Sequence, residues 1–103
     1  MKDTMETKYL VALDDFCASH DIEISFISSL QQSGLIEITT IKNSGFIEAD
    51  KLRQLEKYVR LFYEMDINLE GIETIDYLLL HINSMQEEIR TLRNRLRLYE
   101  TSE

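Results

Sequence analysis

The side chains best suited to chemistry in this sequence are two histidines, one cysteine and some adjacent carboxylates. His20 and His81 form no H-x-x-x-H motif, and no residue stands at metal-ligand spacing from Cys17. Asp14 and Asp15 are neighbours, but adjacent helical residues point in different directions and do not form an acid-base pair. The sequence also lacks a phosphate-binding glycine loop and a G-x-S-x-G motif. We therefore expect no enzymatic activity, no cofactor and no metal site, with Cys17 in the core and His20 capping the C-terminus of a helix.

The overall charge favours a basic protein partner. The chain has 103 residues and a formal net charge of -8, with acidic residues spread along its length. Such a surface repels nucleic acid and anionic lipid. No segment approaches the roughly 18 apolar residues of a membrane span, and the N-terminal residues lack the pattern of a signal peptide. We expect a cytoplasmic protein without membrane contact.

Two short amphipathic segments predict a helix-turn-helix. The apolar residues between positions 13 and 17 share one helical face, and this first helix should stop near His20. Asp21 can cap a second helix, which Gly34 should end in a left-handed conformation, with Leu35 as its hydrophobic contact. The inward face of the second helix is expected to contain Ile24, Ile27 and Leu30, with Phe26 beside them.

A β-hairpin, or wing, is predicted after the second helix. Ile36 and Ile38 alternate with polar residues, and Asn43-Ser44-Gly45 supplies turn chemistry before the apolar residues return. The run of residues 9–11 has β propensity and could pair with a later strand.

Two further helices are expected. The first opens at Ala49 or Asp50 and continues to about Met65, and the second extends from about Leu69 to Tyr99. The second helix carries apolar residues at alternating steps of three and four, which is the heptad pattern of a coiled coil. This seam contains Ile75, Leu78, Ile82, Met85, Ile89, Leu92, Leu96 and Tyr99. The expected fold is mainly α, with a winged helix-turn-helix domain at residues 1–66 and a coiled-coil helix at residues 67–103.

The seam predicts a homodimer through residues Leu78 to Tyr99, because large aliphatic side chains are rarely left in water. The first part of the long helix is acidic, whereas its end carries Arg90, Arg93, Arg95 and Arg97. An antiparallel pair would set the basic end of each helix against acidic residues of the other. The alternative is that the helix folds back onto its own domain.

The second predicted helix lacks the cations that bind DNA. Residues 25–38 contain no Lys or Arg, and residues 21–65 contain five bases against seven acids. Because DNA affinity depends on several phosphate contacts, nucleic acid is a disfavoured partner.

The order of these elements resembles the MerR-type winged helix, in which an L-G-[FY]-S-L-x-E-I-x-x-L-L segment stands where this chain has MDINLEGIETIDYLL. A closer resemblance, over nearly the whole chain, is to the chaperone-modulator family CbpM. Three stretches carry it: LDDFCASHDIEISFISSLQQSGLIE, GFIEADKLRQLEKYVRL and MQEEIRTLRNRLRLYE. They include the acidic F-C helix start of that family and its terminal L-R-x-R-L element.

DNA-binding members of the MerR type carry cations at positions where this chain has none. Those proteins place R-Y-Y-E-R before the exit turn, at the positions that residues 28–32 occupy here, so both arginines and both tyrosines are absent. An N-G-Y-R element in their wing is matched here by residues 44–47, which leaves Lys42 as the only base of the hairpin.

The resemblance to CbpM implies a protein that binds the J-domain of a DnaJ-like, CbpA-type co-chaperone and inhibits it by competing with Hsp70. J-domains engage Hsp70 through a basic face, which an acidic binder could cover. The expected binding surface is centred on Asp14, Asp15, Asp21 and Glu23, with Phe26 as a candidate anchor whose pattern favours the core over the surface. The alternative function is a MerR-type DNA-binding transcriptional regulator, which would use basic residues of the third helix: Lys51, Arg53, Lys57 and Arg60.

Overall fold

The chain forms a mainly helical fold with a small antiparallel sheet and a long C-terminal helix, as expected for a winged helix-turn-helix. A computed structural model describes residues 9–101. It divides after Ile72 into two compact units, and the long helix begins in the first of them. The elements are β1 (Leu10–Ala12), α1 (Leu13–His20), α2 (Ile24–Gln32), β2 (Thr39–Ile41), β3 (Ser44–Glu48), α3 (Leu52–Val59) and α4 (Leu69–Thr101).

The sheet has the strand order β1-β3-β2, with both pairs antiparallel. On one side of β3, Val11 faces Ile47, and on the other side Thr39 faces Phe46. The predicted pairing of the first β segment with a later strand is confirmed. The wing therefore packs against the start of α1, and the side chain of Ile47 is fully buried.

The turn of the wing lies at residues 42 and 43, slightly earlier in the chain than predicted. Lys42 and Asn43 both have left-handed backbone, with φ of 50° and 65°, as in a two-residue type I′ turn. Ser44 and Gly45, which were expected in the turn, belong to β3. A type I′ turn is favoured in a hairpin because its twist matches the twist of the flanking strands. That match outweighs the usual preference for glycine in the turn, since the two turn residues here are Lys42 and Asn43.

The core of the first unit lies between the helices and the wing. The predicted inward positions of α1 and α2 are buried, with one exception. Ile24 was expected to face inward but is 49% exposed, because it begins α2 and its turn lies at the surface. The buried side chains are Leu13, Phe16, Cys17, Phe26, Ile27, Leu30, Ile36, Ile47, Leu55, Tyr58, Val59 and Ile72.

The turn between α1 and α2 is stabilised differently from the prediction. Asp21 does not cap α2; it ends α1 in a left-handed conformation with φ of 56°. The backbone N–H of Ile22 donates to the carbonyl of Cys17 at 3.1 Å, which satisfies a terminal carbonyl of α1. His20 stands in the last turn of α1 as expected, and its Nδ1 lies 3.1 Å from the carbonyl oxygen of Phe16, while the C-cap position itself is Asp21.

The end of α2 follows the prediction closely. Gly34 has φ of 81°, and its N–H donates to the carbonyl of Gln31 at 3.0 Å. The N–H of Leu35 donates to the carbonyl of Leu30 at 2.9 Å, and the side chain of Leu35 packs against the core. This pair of hydrogen bonds with an apolar contact is the Schellman motif.

The third helix is shorter and less regular than predicted. A 3₁₀ turn at Ala49–Lys51 precedes α3, and a π-helical turn at Arg60–Glu64 follows it. The N–H of Met65 donates to the carbonyl of Arg60 at 3.1 Å, and Asp66 then has left-handed backbone. The chain thus inserts an extra residue where a continuous α-helix was expected.

The long C-terminal helix is confirmed as one element of 33 residues. Asn68 precedes it, and the Oδ1 of Asn68 accepts a hydrogen bond from the N–H of Gly71 at 2.9 Å. This is an N-cap that the sequence analysis did not identify.

Candidate partner-binding surfaces

The exposed side of α2 offers no positive charge to a polyanion. It presents Ser25, Ser28, Gln31 and Gln32 to solvent. The serine hydroxyls of this helix are also used within it, since the Oγ of Ser29 donates to the carbonyl of Ser25 at 3.1 Å. The helix therefore has neither the cations nor all of the free donors that a phosphate backbone would need.

The described bases of the first unit, from residue 9 onward, lie on elements other than α2. Lys42 stands in the turn of the wing. Arg53, Lys57 and Arg60 follow one another at helical spacings of four and three, which places them on one side of α3 and the π turn. Lys57 is partly buried, with its Nζ 6.0 Å from the ring centre of Tyr58. These residues form a short basic stripe on a different element from α2.

The structure separates the four carboxylates predicted as the binding surface into two pairs. Asp14 and Asp15 are exposed in the first turn of α1. Asp21 and Glu23 are exposed at the turn that leads into α2, and an α1 of this length sets the two pairs about 10 Å apart along its axis. The carboxylate of Glu23 accepts a hydrogen bond from the Oγ of Ser25 at 3.2 Å.

Phe26 is a core residue and not an exposed anchor. Its side chain is 5% exposed, and its ring centre lies 4.4 Å from that of Phe62 and 5.4 Å from that of Tyr63. Its amphipathic position on α2 explains this, because that side of the helix turns toward the π turn. We therefore leave Phe26 out of the exposed surface.

A shallow cleft of about 170 Å³ opens beside this aromatic group. We call it the aromatic cleft, and it is lined mainly by Phe26, Phe62, Tyr63 and Leu69, with Glu23 at its edge. The N–H of Glu23 donates to the hydroxyl of Tyr63 at 3.3 Å, which joins the start of α2 to the π turn. Sequence reasoning did not identify this surface, because the residues that form it are about 40 positions apart and only the fold brings them together.

The thiol of Cys17 is buried and has an unusual protonation equilibrium. Burial, followed by the nearby negative charge of Asp14, raises the pKa of the Cys17 thiol above its ordinary value. The neutral thiol is therefore favoured, as suits a small core residue.

Residues 9–101 were also searched for a metal site and for a membrane-spanning helix. Within that range no three His, Cys, Asp or Glu side chains gather closely enough to hold a metal ion. None of the helices there combines the length and apolarity that would be needed to cross a membrane.

The second unit exposes the predicted seam of α4. From Leu78 onward its seven large side chains are each 44–75% exposed. Several arginines lie along an adjoining side of the helix, and Arg90 forms an ion pair with Glu87. Tyr77, Leu80 and Leu98 are also exposed, although they lie off the seam.

Comparison with protein families gives a match over most of the chain. The model of the family described as MerR HTH family regulatory protein matches residues 11–94. Comparison with curated proteins and with solved structures gives no significant match. The matched range includes the helix-turn-helix, the wing and most of α4. With this match and this fold, the chain belongs to the MerR HTH family of regulatory proteins.

Proposed function

We propose that this chain is a non-enzymatic regulator of the CbpM type, which binds the J-domain of a CbpA-like co-chaperone and inhibits it by competing with Hsp70. The observation that carries the proposal is the chemistry of α2. The helix that would read DNA in this family has no Lys or Arg, and its exposed side chains are Ser, Gln and an isoleucine. A partner with its own positive charge suits this surface better than a polyanion.

The number of phosphate contacts that DNA binding needs favours a protein partner over DNA. Non-specific DNA binding requires several phosphate contacts, and each contact releases close to one counterion. The wing supplies a single base, and α2 supplies none. Attraction between the acidic protein and a basic J-domain helix would instead raise the association rate at moderate ionic strength.

Binding of a purified J-domain tests the proposal. We expect saturable binding that weakens as salt is raised, and weaker binding by the double variant Asp14→Lys, Asp15→Lys. The variant Glu87→Lys reverses a single charge in the second unit, and we expect it to weaken binding by less than half as much. An unmodified protein that ignores the J-domain at every salt concentration would reject the proposal.

We also propose that the chain is a homodimer through the seam of α4. Covering one large aliphatic side chain contributes roughly 1.5–3 kcal/mol when burial is complete, and the seam exposes several of them. Light scattering should give the mass of a dimer for the unmodified protein and of a monomer for Leu92→Glu. Leu80→Glu is a matched control, because Leu80 is exposed to a similar extent, 63% against 55% for Leu92, but lies off the seam. A monomeric mass for the unmodified protein would contradict the dimer.

A second candidate function rests on the basic stripe. Arg53, Lys57 and Arg60 share one side of α3 and the π turn, so a DNA backbone could contact the protein there rather than through α2. A mobility-shift assay over a range of salt concentrations separates the two functions. Firm duplex binding near physiological ionic strength, lost in Arg53→Ala with Lys57→Ala, would favour the DNA-binding regulator.

A further inference from the structure

Two short segments of the first unit meet at the aromatic cleft, and both alternate carboxylates with apolar residues. One is Asp21–Ile24 and the other is Tyr63–Asp66. The hydrogen bond from the N–H of Glu23 to the hydroxyl of Tyr63 joins them. Neither segment contains Lys or Arg, and the nearest base along the chain is Arg60 at the start of the π turn.

Three large apolar side chains remain exposed around this junction. Ile24 is 49% exposed and lies between two residues that line the aromatic cleft. Tyr63 is 40% exposed, and Met65, two residues later, is 61% exposed. Methionine adapts to varied partner shapes, and tyrosine is enriched in protein interfaces.

The backbone at this junction is also irregular. The π turn at Arg60–Glu64 inserts an extra residue into the helix, and π turns are frequent at functional sites. Asp21 and Asp66 have left-handed backbone, with φ of 56° and 57°. One residue of each segment, Glu23 or Tyr63, lines the aromatic cleft, and the exposed Ile24 and Met65 lie within two positions of these residues in the chain.

We infer that the aromatic cleft and its rim, formed by Ile24, Tyr63 and Met65 with the carboxylates of Asp21, Glu23, Glu64 and Asp66, is a docking surface for a basic amphipathic helix. An apolar side chain of that helix enters the cleft, and its flanking Lys or Arg side chains pair with the rim carboxylates. Charge complementarity selects this occupant, since every charged residue of the two segments is an Asp or a Glu. The inference rests on the proposed function, because it makes the J-domain helix the occupant of this surface.

The test measures binding of a purified, labelled J-domain by fluorescence anisotropy. For the double variant Ile24→Ser, Met65→Ser we expect an affinity about tenfold lower than that of the unmodified protein, because two apolar contacts around the cleft are lost. Ile41→Ser is a control for a single apolar-to-serine change, because Ile41 is 44% exposed on the wing, and this variant should bind as the unmodified protein does. Thermal unfolding followed by circular dichroism checks that each variant is folded.

A second variant tests the charges separately. Glu64→Gln with Asp66→Asn removes two carboxylates and keeps side-chain shape, and Asn tolerates the left-handed backbone of position 66. We expect weaker binding and a smaller dependence of the affinity on salt. If the unmodified protein binds the J-domain and both double variants bind it equally well, the docking surface is wrong while the proposed function stands. If the unmodified protein does not bind it, the proposed function itself fails.

Discussion

At the scale of single residues, backbone conformation determines where the elements of the first unit end. Asp21, Asn43 and Asp66 have left-handed backbone at the end of α1, in the wing and after the π turn. Asp and Asn tolerate this conformation better than most residues do. The composition of these positions was therefore compatible with a turn, but the sequence did not reveal which of the many Asp and Asn residues would adopt it.

Gly34 provides a direct test of this effect on stability. A Cβ atom at this position would meet no atom within 4 Å, so a substitution changes only the backbone energy. With φ at 81°, Gly34→Ala should lower the free energy of unfolding by about 1 kcal/mol. Urea denaturation measures the difference. Gly34→Asn should lose less, and an Ala variant as stable as the unmodified protein would contradict the Schellman assignment.

Cys17 predicts a dependence of stability on pH. Because the pKa of its thiol is raised in the folded state, the folded protein keeps this proton where the unfolded chain has begun to lose it. The contribution of this thiol to the free energy of unfolding is complete below the ordinary thiol pKa of about 8.5. It is lost as the pH rises further, toward the higher pKa of the folded state.

Comparison with Cys17→Ala isolates this contribution from other groups that titrate in alkali. The free energy of unfolding of the unmodified protein should fall more steeply above about pH 8.5 than that of the variant. Parallel pH profiles from urea denaturation would show that the thiol makes no such contribution.

At the scale of elements, periodic apolar patterns predicted α1, α2 and α4 well. The end of α2 was predicted because Gly34 and Leu35 occupy the two positions that a Schellman motif requires. The π turn could not be predicted, since the apolar spacing of residues 52–62 is equally compatible with a regular helix. The aromatic cleft was missed for a different reason, because it depends on contact between Glu23 and Tyr63 across the fold.

The orientation of the proposed dimer can be tested by exchanging charges on α4. If two α4 helices cross near position 90 in antiparallel orientation, Glu88 lies opposite the partner's Arg95. If they run parallel and in register, Glu88 lies near the partner's Arg93. Glu88→Lys should weaken the dimer in either case.

A second substitution, added to Glu88→Lys, shows which arginine of the other protomer Glu88 faces. We expect Arg95→Glu to restore the dimer affinity of Glu88→Lys, as measured by analytical ultracentrifugation. Rescue by Arg93→Glu instead would show a parallel pair and contradict the antiparallel prediction.

At the scale of the whole molecule, the family fold and the surface chemistry point to different kinds of partner. The chain belongs to a family of helix-turn-helix regulators, yet it has a net charge of -8 and its α2 carries no cation. The fold could be predicted from apolar spacing, whereas the partner depends on which charges the fold brings together. Charge counting predicts a positively charged partner, and the fold was needed to bring Glu23 of one segment to Tyr63 of the other.

Binding of a J-domain and of duplex DNA by the same protein can be compared in one experiment. Fluorescence anisotropy would follow the binding of a labelled J-domain and of a labelled DNA duplex by the unmodified protein at about 0.15 M salt, where surface charges are screened beyond roughly 8 Å. We predict saturable binding of the J-domain and no measurable binding of the duplex. Firm binding of the duplex without binding of the J-domain would contradict the central claim.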